Sequence, residues 1–184
     1  MPAKKTITKE IILKTAMKMV EKGEGDNLNA RSLAKAMDCS TQPLYDAFKN
    51  MNDFKNQLVD EIRHFYYSFI EENRDQSESL YLQYVKNYIK FAHDYPHFFA
   101  FIFVDNPYRN TKEEQAFNEA IISQIEKAGH YSKETATEFF HQSWIFGHGI
   151  AMQLTENYVT WDMDYLYHLL EDNFKALRMF FKGK

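Results

Sequence analysis

The chain of 184 residues has little of what interrupts or cross-links a fold: one cysteine, four prolines and six glycines. A single cysteine, Cys39, cannot form a disulfide within the chain, which excludes a disulfide-stapled scaffold and agrees with a reducing cytoplasm. Long apolar runs are also missing. The longest is Phe98 to Val104, seven residues, where a membrane-spanning helix needs about 20, so no membrane association is expected. The lysines near the N-terminus are followed by no apolar stretch, and no secretory signal is expected either. Alternating strand patterns of useful length, an Asn-Gly hairpin signal and internal repeats are all lacking. So are a Gly-rich phosphate loop, a G-x-S-x-G elbow and Cys–His zinc spacing. No catalytic residue, metal site or cofactor is expected.

The excess of charge of one sign is small, with 22 Lys and Arg against 26 Asp and Glu and a net charge of -4, but it is unevenly placed. Residues 1–60 hold ten basic and eight acidic residues, a balance of +2. Residues 61–184 hold twelve and eighteen, a balance of -6. A positive head on a negative body suits a head that meets an anionic partner.

What the chain does have is apolar periodicity of helical type. Apolar residues make up 45% and charged ones 26%, which favours a folded chain over a disordered one. A first helix is predicted over 9–22, with Thr8 as N-cap and Ile11, Ile12, Thr15 and Met19 on its apolar face. Short helices follow over 30–37, capped by Asn29, and 41–48, capped by Ser40. Longer ones are predicted near 52–73, 78–94, 96–104, 112–128, 132–158 and 162–181. Gly23 and Gly25 separate the first two segments, Pro96 and Pro107 bracket the phenylalanine-rich run, and Gly129 precedes the helix that starts near Ser132. The fold class is all-α: an N-terminal three-helix head over 1–50, then a helical bundle over 51–184.

The stretch from Asn29 to Phe54, NARSLAKAMDCSTQPLYDAFKNMNDF, carries the functional argument. Leu33, Ala34 and Met37 give one short helix a buried face, and Asp38-Cys39-Ser40 makes the bend. In the next helix Leu44 and Phe48 turn inward, leaving Thr41, Gln42, Tyr45 and Lys49 outside. Pro43 sits early in that helix, where a missing N–H costs nothing. Two short helices joined by a tight turn form a helix-turn-helix, whose second helix enters the DNA major groove. Gln42 suits a bidentate contact with an adenine edge, and Thr41 offers a hydroxyl or a methyl group. Tyr45, Lys49, Arg31 and Ser32 suit phosphates.

Residues 8–54 resemble the DNA-binding head of the TetR/AcrR transcriptional regulators. The matching features are Ile11, Ile12, Ala16 and Gly23, then SLAKAMDCSTQPLYDAF where the family has I-A-x-x-A-G-V-S-x-x-x-L-Y-x-Y-F. Two departures stand out. Asp38 replaces the usual glycine, and Met51 replaces a lysine that often follows Phe-x-x, a phosphate contact for which Lys49 or Lys55 can substitute. The resemblance implies DNA-binding residues Arg31, Ser32, Ser40, Thr41, Gln42, Tyr45, Lys49 and Lys55, with a palindromic operator in double-stranded DNA as partner. It implies that residues 51–184 bind a small, largely apolar effector and dimerise. Ligand-relieved repression is the family's default.

The aromatic residues and the later helices give that implication its candidates. Effector-lining candidates are Tyr84, Tyr88, Phe99, Phe103, Phe117, Ile121, Trp144, His148 and Met152. Two apolar seams recur at near-heptad spacing: Phe140, Trp144, Gly147, Ala151, Leu154 and Tyr158 on one helix, and Leu166, Leu170, Phe174, Leu177 and Phe181 on the last. Within the resemblance, these seams pair with their copies to make a homodimer. Other readings are a helical ligand carrier or adaptor without DNA, and a carboxylate-bridged metal enzyme using Glu61 with His64 and Glu138 with His141.

Overall fold

The computed structural model describes residues 7–74, 79–106, 112–156, 158 and 160–182. Among them every regular element is helical, as expected. The helices are α1 (Lys9–Glu21), α2 (Ala30–Met37), α3 (Gln42–Ala47), α4 (Met51–Glu72), α5 (Leu80–Asp94), α6 (Pro96–Ala100), α7 (Lys112–Gly129), α8 (Lys133–Thr155) and α9 (Met163–Phe181). They divide into two compact units, Met1–Tyr67 with His97–Pro107, and Ser68–Pro96 with Tyr108–Lys184. The boundary between these units falls inside α4, and the phenylalanine run goes with the first unit.

In the first unit the caps are local. The Thr8 hydroxyl accepts the Ile11 amide at 3.4 Å and starts α1. Asn29 accepts the Arg31 and Ser32 amides, while the Ser32 hydroxyl accepts the Asn29 amide at 3.0 Å, a reciprocal capping box for α2. The buried face of α1 is Ile12, Leu13, Ala16, Met19 and Val20. Ile11 is 38% exposed and the Thr15 hydroxyl donates to its carbonyl at 2.8 Å, so the apolar stripe is turned from the expected one. Leu33, Leu44, Phe54, Leu58 and Ile62 complete this core. Phe48 packs edge-on against Phe54, with ring centroids 5.2 Å apart. The run expected as one helix over 96–104 is α6 followed by a π-type turn, Phe101–Asp105. The Phe101 carbonyl accepts both the backbone and the side-chain amide of Asn106, a closure that ends the segment.

The second unit is built on α5, α7, α8 and α9. Its core takes Tyr81, Val85 and Ile89 from α5, Ile121 and Ile125 from α7, and Ala136, Phe139, Phe140 and Ile150 from α8. A buried polar contact sits inside it. The Tyr81 hydroxyl lies 2.7 Å from Ser143 Oγ, which donates to the Phe139 carbonyl at 2.6 Å. Loss of water pushes the Tyr81 phenol well above its ordinary pKa. At the edge, Lys86 Nζ donates to Glu171 Oε1 at 2.7 Å and ties α5 to α9.

The two terminal seams are largely used by this packing. Leu166, Leu170, Phe174, Leu177 and Phe181 are all buried within the single chain. On α8, Phe140, Gly147 and Ala151 are buried too, and Leu154 packs against the same core. A Cβ on Gly147 would meet Val85 Cγ1 at 2.5 Å, so the glycine serves the approach of α5 rather than of a second copy. Trp144, 42% exposed, and Tyr158, 79% exposed, are the stripe residues that remain open to solvent. Most of both stripes is therefore covered by its own chain.

Candidate nucleic-acid interface and ligand cavities

The turn between α2 and α3 depends on Asp38, which adopts φ 54° and ψ 52°. This is the left-handed region where a Cβ is strained and Gly, Asn and Asp are best tolerated. Its amide donates back to Lys35, and the Cys39 amide reaches the Ala34 carbonyl at 3.0 Å. Asp38 thus stands in for glycine at the end of α2. The bend brings in α3, whose second residue is Pro43. Thr41 occupies the N-cap position in a helical conformation without a side-chain cap. Ser40, expected to cap α3, is therefore not the cap.

Leu44 and Phe48 bury, at 2% and 4% exposure, and hold α3 against the unit's core. Lys9 Nζ lies 5.6 Å from the Phe48 ring centroid, covering that anchor with a cation. Gln42, Tyr45 and Lys49 are exposed, as are Arg31, Ser40 and Lys55, and Thr41 is half-buried. Two of the expected contacts are already engaged. The Ser32 hydroxyl donates to the Asn27 carbonyl at 2.7 Å as part of the α2 cap. Gln42 Nε2 donates to Asp46 Oδ1 at 2.8 Å, one turn on. Asp46 was not anticipated. It puts a carboxylate on the exposed side of α3, where an acidic group can accept from a cytosine amino group. Beyond α3, the Lys49 amide donates to Asp53 Oδ2 and the Asp53 amide to Asn50 Oδ1, so the start of α4 is capped from both sides. That hydrogen bond from Lys49 holds the Asp53 carboxyl below its ordinary pKa.

The nine expected effector-lining residues are divided between the two units. Phe99 and Phe103 lie in the first unit, their rings 4.8 Å apart, with Phe103 edge-on to Tyr66 at 5.3 Å. The rest belong to the second unit, where they fall into two groups. Tyr84, Phe117 and Ile121 line a cavity of about 260 Å³ with Gln83, Asn87 and the paired Glu71 and Arg74. The Tyr84 and Phe117 rings are 5.0 Å apart. Tyr88, Trp144 and His148 form the other group. Tyr88 Oη is 2.8 Å from His148 Nδ1, and Trp144 stacks on the imidazole, with centroids 4.9 Å apart and planes 8° off parallel. Partial burial lowers the His148 pKa, favouring the neutral ring, and burial raises that of Tyr88. Met152, one turn beyond His148, is half-buried.

A larger cavity, about 820 Å³, opens elsewhere in the second unit. Its floor is Tyr81, Ile125, Tyr131, Phe139 and Phe174, and Lys127, Arg178 and Lys182 stand around it. The sequence offered no signal for this grouping, because it joins the start of α5 to the distant ends of α7 and α9. The metal-enzyme reading finds its four residues apart from any core: Glu61, His64, Glu138 and His141 are all exposed. Among the described residues no three His, Cys, Asp or Glu side chains gather as a metal site would need. No helix among them is long and apolar enough to cross a membrane.

Compared with known proteins, the chain matches no family model and no curated sequence. Its fold does have a solved counterpart. The crystal structure of TetR-Q116A from Acinetobacter baumannii AYE in complex with minocycline is similar with a TM-score of 0.65. The likeness covers 97% of this chain and 98% of that one, at 14% sequence identity. Backbone likeness over nearly the full length of both chains, with a left-handed bend feeding a short outward-facing helix near the N-terminus, identifies the architecture: this chain has the TetR fold.

Proposed function

We propose that the chain is a ligand-responsive DNA-binding regulator, acting as a homodimer on a two-fold symmetric operator and released from it by a small, largely apolar effector. The observation that carries this reading is the division of α3. Leu44 and Phe48 are buried, while Gln42, Tyr45 and Lys49 are offered to solvent at the end of a tight bend. Exposed polar side chains on and just beyond a short helix held by two apolar anchors are the form that base and phosphate recognition requires. A crystal structure of similar fold is of a TetR in complex with minocycline, which supports a small-molecule effector for this chain.

Because the seams of α8 and α9 are used inside the chain, dimerisation falls to their outward faces. Ile145 is 65% exposed, Gly149 has open space where a Cβ would stand, and Tyr165 is 49% exposed. Gly149 lies one turn from Ile145, so a second backbone can approach that face closely. A two-fold dimer carries two α3 helices to half-sites about one helical turn, 34–36 Å, apart or a multiple of it. An effector that binds one head spacing better than another shifts the population toward it, and operator affinity falls if that spacing misses the groove repeat.

Selection of bound duplexes from a random pool tests the reading directly, with a two-fold symmetric motif expected. Within such a site Gln42→Ala should lose about 1–3 kcal/mol at one base position. The logarithm of affinity should fall linearly with that of salt, with slope about -0.9 per phosphate neutralised. A pool that shows no enrichment and no salt dependence leaves a helical ligand-binding protein without DNA.

A further inference from the structure

The large cavity of the second unit has a composition that the rest of that unit does not share. Residues 61–184 are acidic overall, with twelve basic and eighteen acidic side chains. Yet three of those twelve cations, Lys127, Arg178 and Lys182, line this one cavity, and no acidic residue joins them among the described residues. None of the three makes an ion pair among the described residues, unlike Lys86, Lys90 and Lys175, which are paired with carboxylates. Below the cations the floor is aromatic. Tyr131 stacks on Phe139 at 6.2 Å, and Phe174 meets Phe139 edge-on at 5.7 Å. Gly129 makes that floor possible, since a Cβ there would lie 2.0 Å from the Tyr131 ring.

We infer that this cavity binds an amphipathic organic carboxylate, a fatty-acid-like molecule whose chain lies on the aromatic floor and whose head meets Lys127, Arg178 and Lys182. Its 820 Å³ falls in the range of small-molecule sites, roughly 300–1,000 Å³. The apolar floor supplies affinity in proportion to the area covered, and the guanidinium of Arg178 matches a carboxylate in a bidentate fork. The inference does not rest on the regulator reading, and its test needs no DNA.

The full-length protein is titrated calorimetrically with dodecanoate, dodecanol and dodecyltrimethylammonium, each below its micellar concentration. Saturable binding of the carboxylate is expected, at least tenfold tighter than that of either analogue. The Arg178→Ala, Lys182→Ala double variant should bind dodecanoate about tenfold more weakly or worse with an unchanged melting temperature, because both side chains are exposed. Ala128→Trp, which fills the cavity from an exposed wall position, should abolish binding. Equal affinity for the three compounds would overturn the inference, as would no saturable binding. Closure of the cavity by a second copy would overturn it too, and would appear as self-association weakened in the double variant with no heat from dodecanoate.

Discussion

Leu170 decides whether the last helix belongs to its own chain or to a partner. It is fully buried, in the middle of a stripe running from Leu166 to Phe181 along α9. Leu170→Ala removes about three methylene equivalents, worth roughly 0.8 kcal/mol each, from a site with no access to water. Incomplete collapse of the vacated space adds a further term, so the expected loss is about 3–4 kcal/mol. At roughly 2–4 °C per kcal/mol for a chain of this size, the melting temperature should fall by about 6–16 °C. Ile145→Ala is the counterpart, because Ile145 is 65% exposed on α8. It should move the melting temperature of the monomer little, within about 0.5 kcal/mol of stability, and weaken self-association. Both quantities are read on the same samples, by thermal unfolding at several protein concentrations and by sedimentation. The reasoning fails if Leu170→Ala leaves the fold's stability unchanged while dissociating the dimer, for then the stripe faces a second copy after all.

Three further outcomes are expected. Asp38→Gly should stabilise the first unit by up to about 1 kcal/mol in thermal unfolding, since Asp38 sits at φ 54° where glycine carries no Cβ penalty. Gly23→Ala should destabilise by about 1–2 kcal/mol in the same assay. Gly23 is at φ 81° and a Cβ would stand 3.0 Å from the His97 ring. The hydrogen bond from Lys86 holds the Glu171 carboxyl below its ordinary pKa, so the unfolded chain takes up protons first as the pH falls. The pair's contribution is therefore complete above about pH 5 and is lost on acidification through the carboxylate range. Lys86→Met should flatten that part of the stability–pH curve by no more than the roughly 0–1 kcal/mol of a solvent-screened pair, measured by urea unfolding between pH 7 and pH 3.

The all-helical class and the helix-turn-helix were legible because both rest on local rules. Thr8, Asn29 and Ser132 cap the helices they precede, and the Leu44–Phe48 spacing orients α3 without help from distant residues. The register of α1 was misjudged by one position because Ile11 and Ile12 are adjacent and equally apolar, and only tertiary packing chooses between them. The terminal seams show a deeper limit. An apolar stripe at heptad spacing reads the same whether α5 or another copy covers it, and the small Gly147 fits either arrangement. The effector candidates, from Tyr84 to Met152, rest on aromatic and apolar character and on the family resemblance. Phe99 and Phe103 nevertheless fold with the first unit, while the cationic cavity gathers Tyr81, Lys127 and Arg178 from three separate helices. Nothing in linear spacing announces that kind of convergence.

The two glycines near the middle of α8 have a consequence for how that helix breathes. Gly147 admits Val85 on its inner side and Gly149 leaves its outer side bare. Each glycine weakens a helix by about 1 kcal/mol relative to alanine, so the centre of this 23-residue helix is intrinsically its softest turn. Packing from α5 restores one side of it in every molecule. The other side is restored only when something lies against the bare face, so amide protons around Gly149 should exchange with deuterium faster as the protein is diluted. Helices normally fray from their ends; this one is set to loosen from its waist.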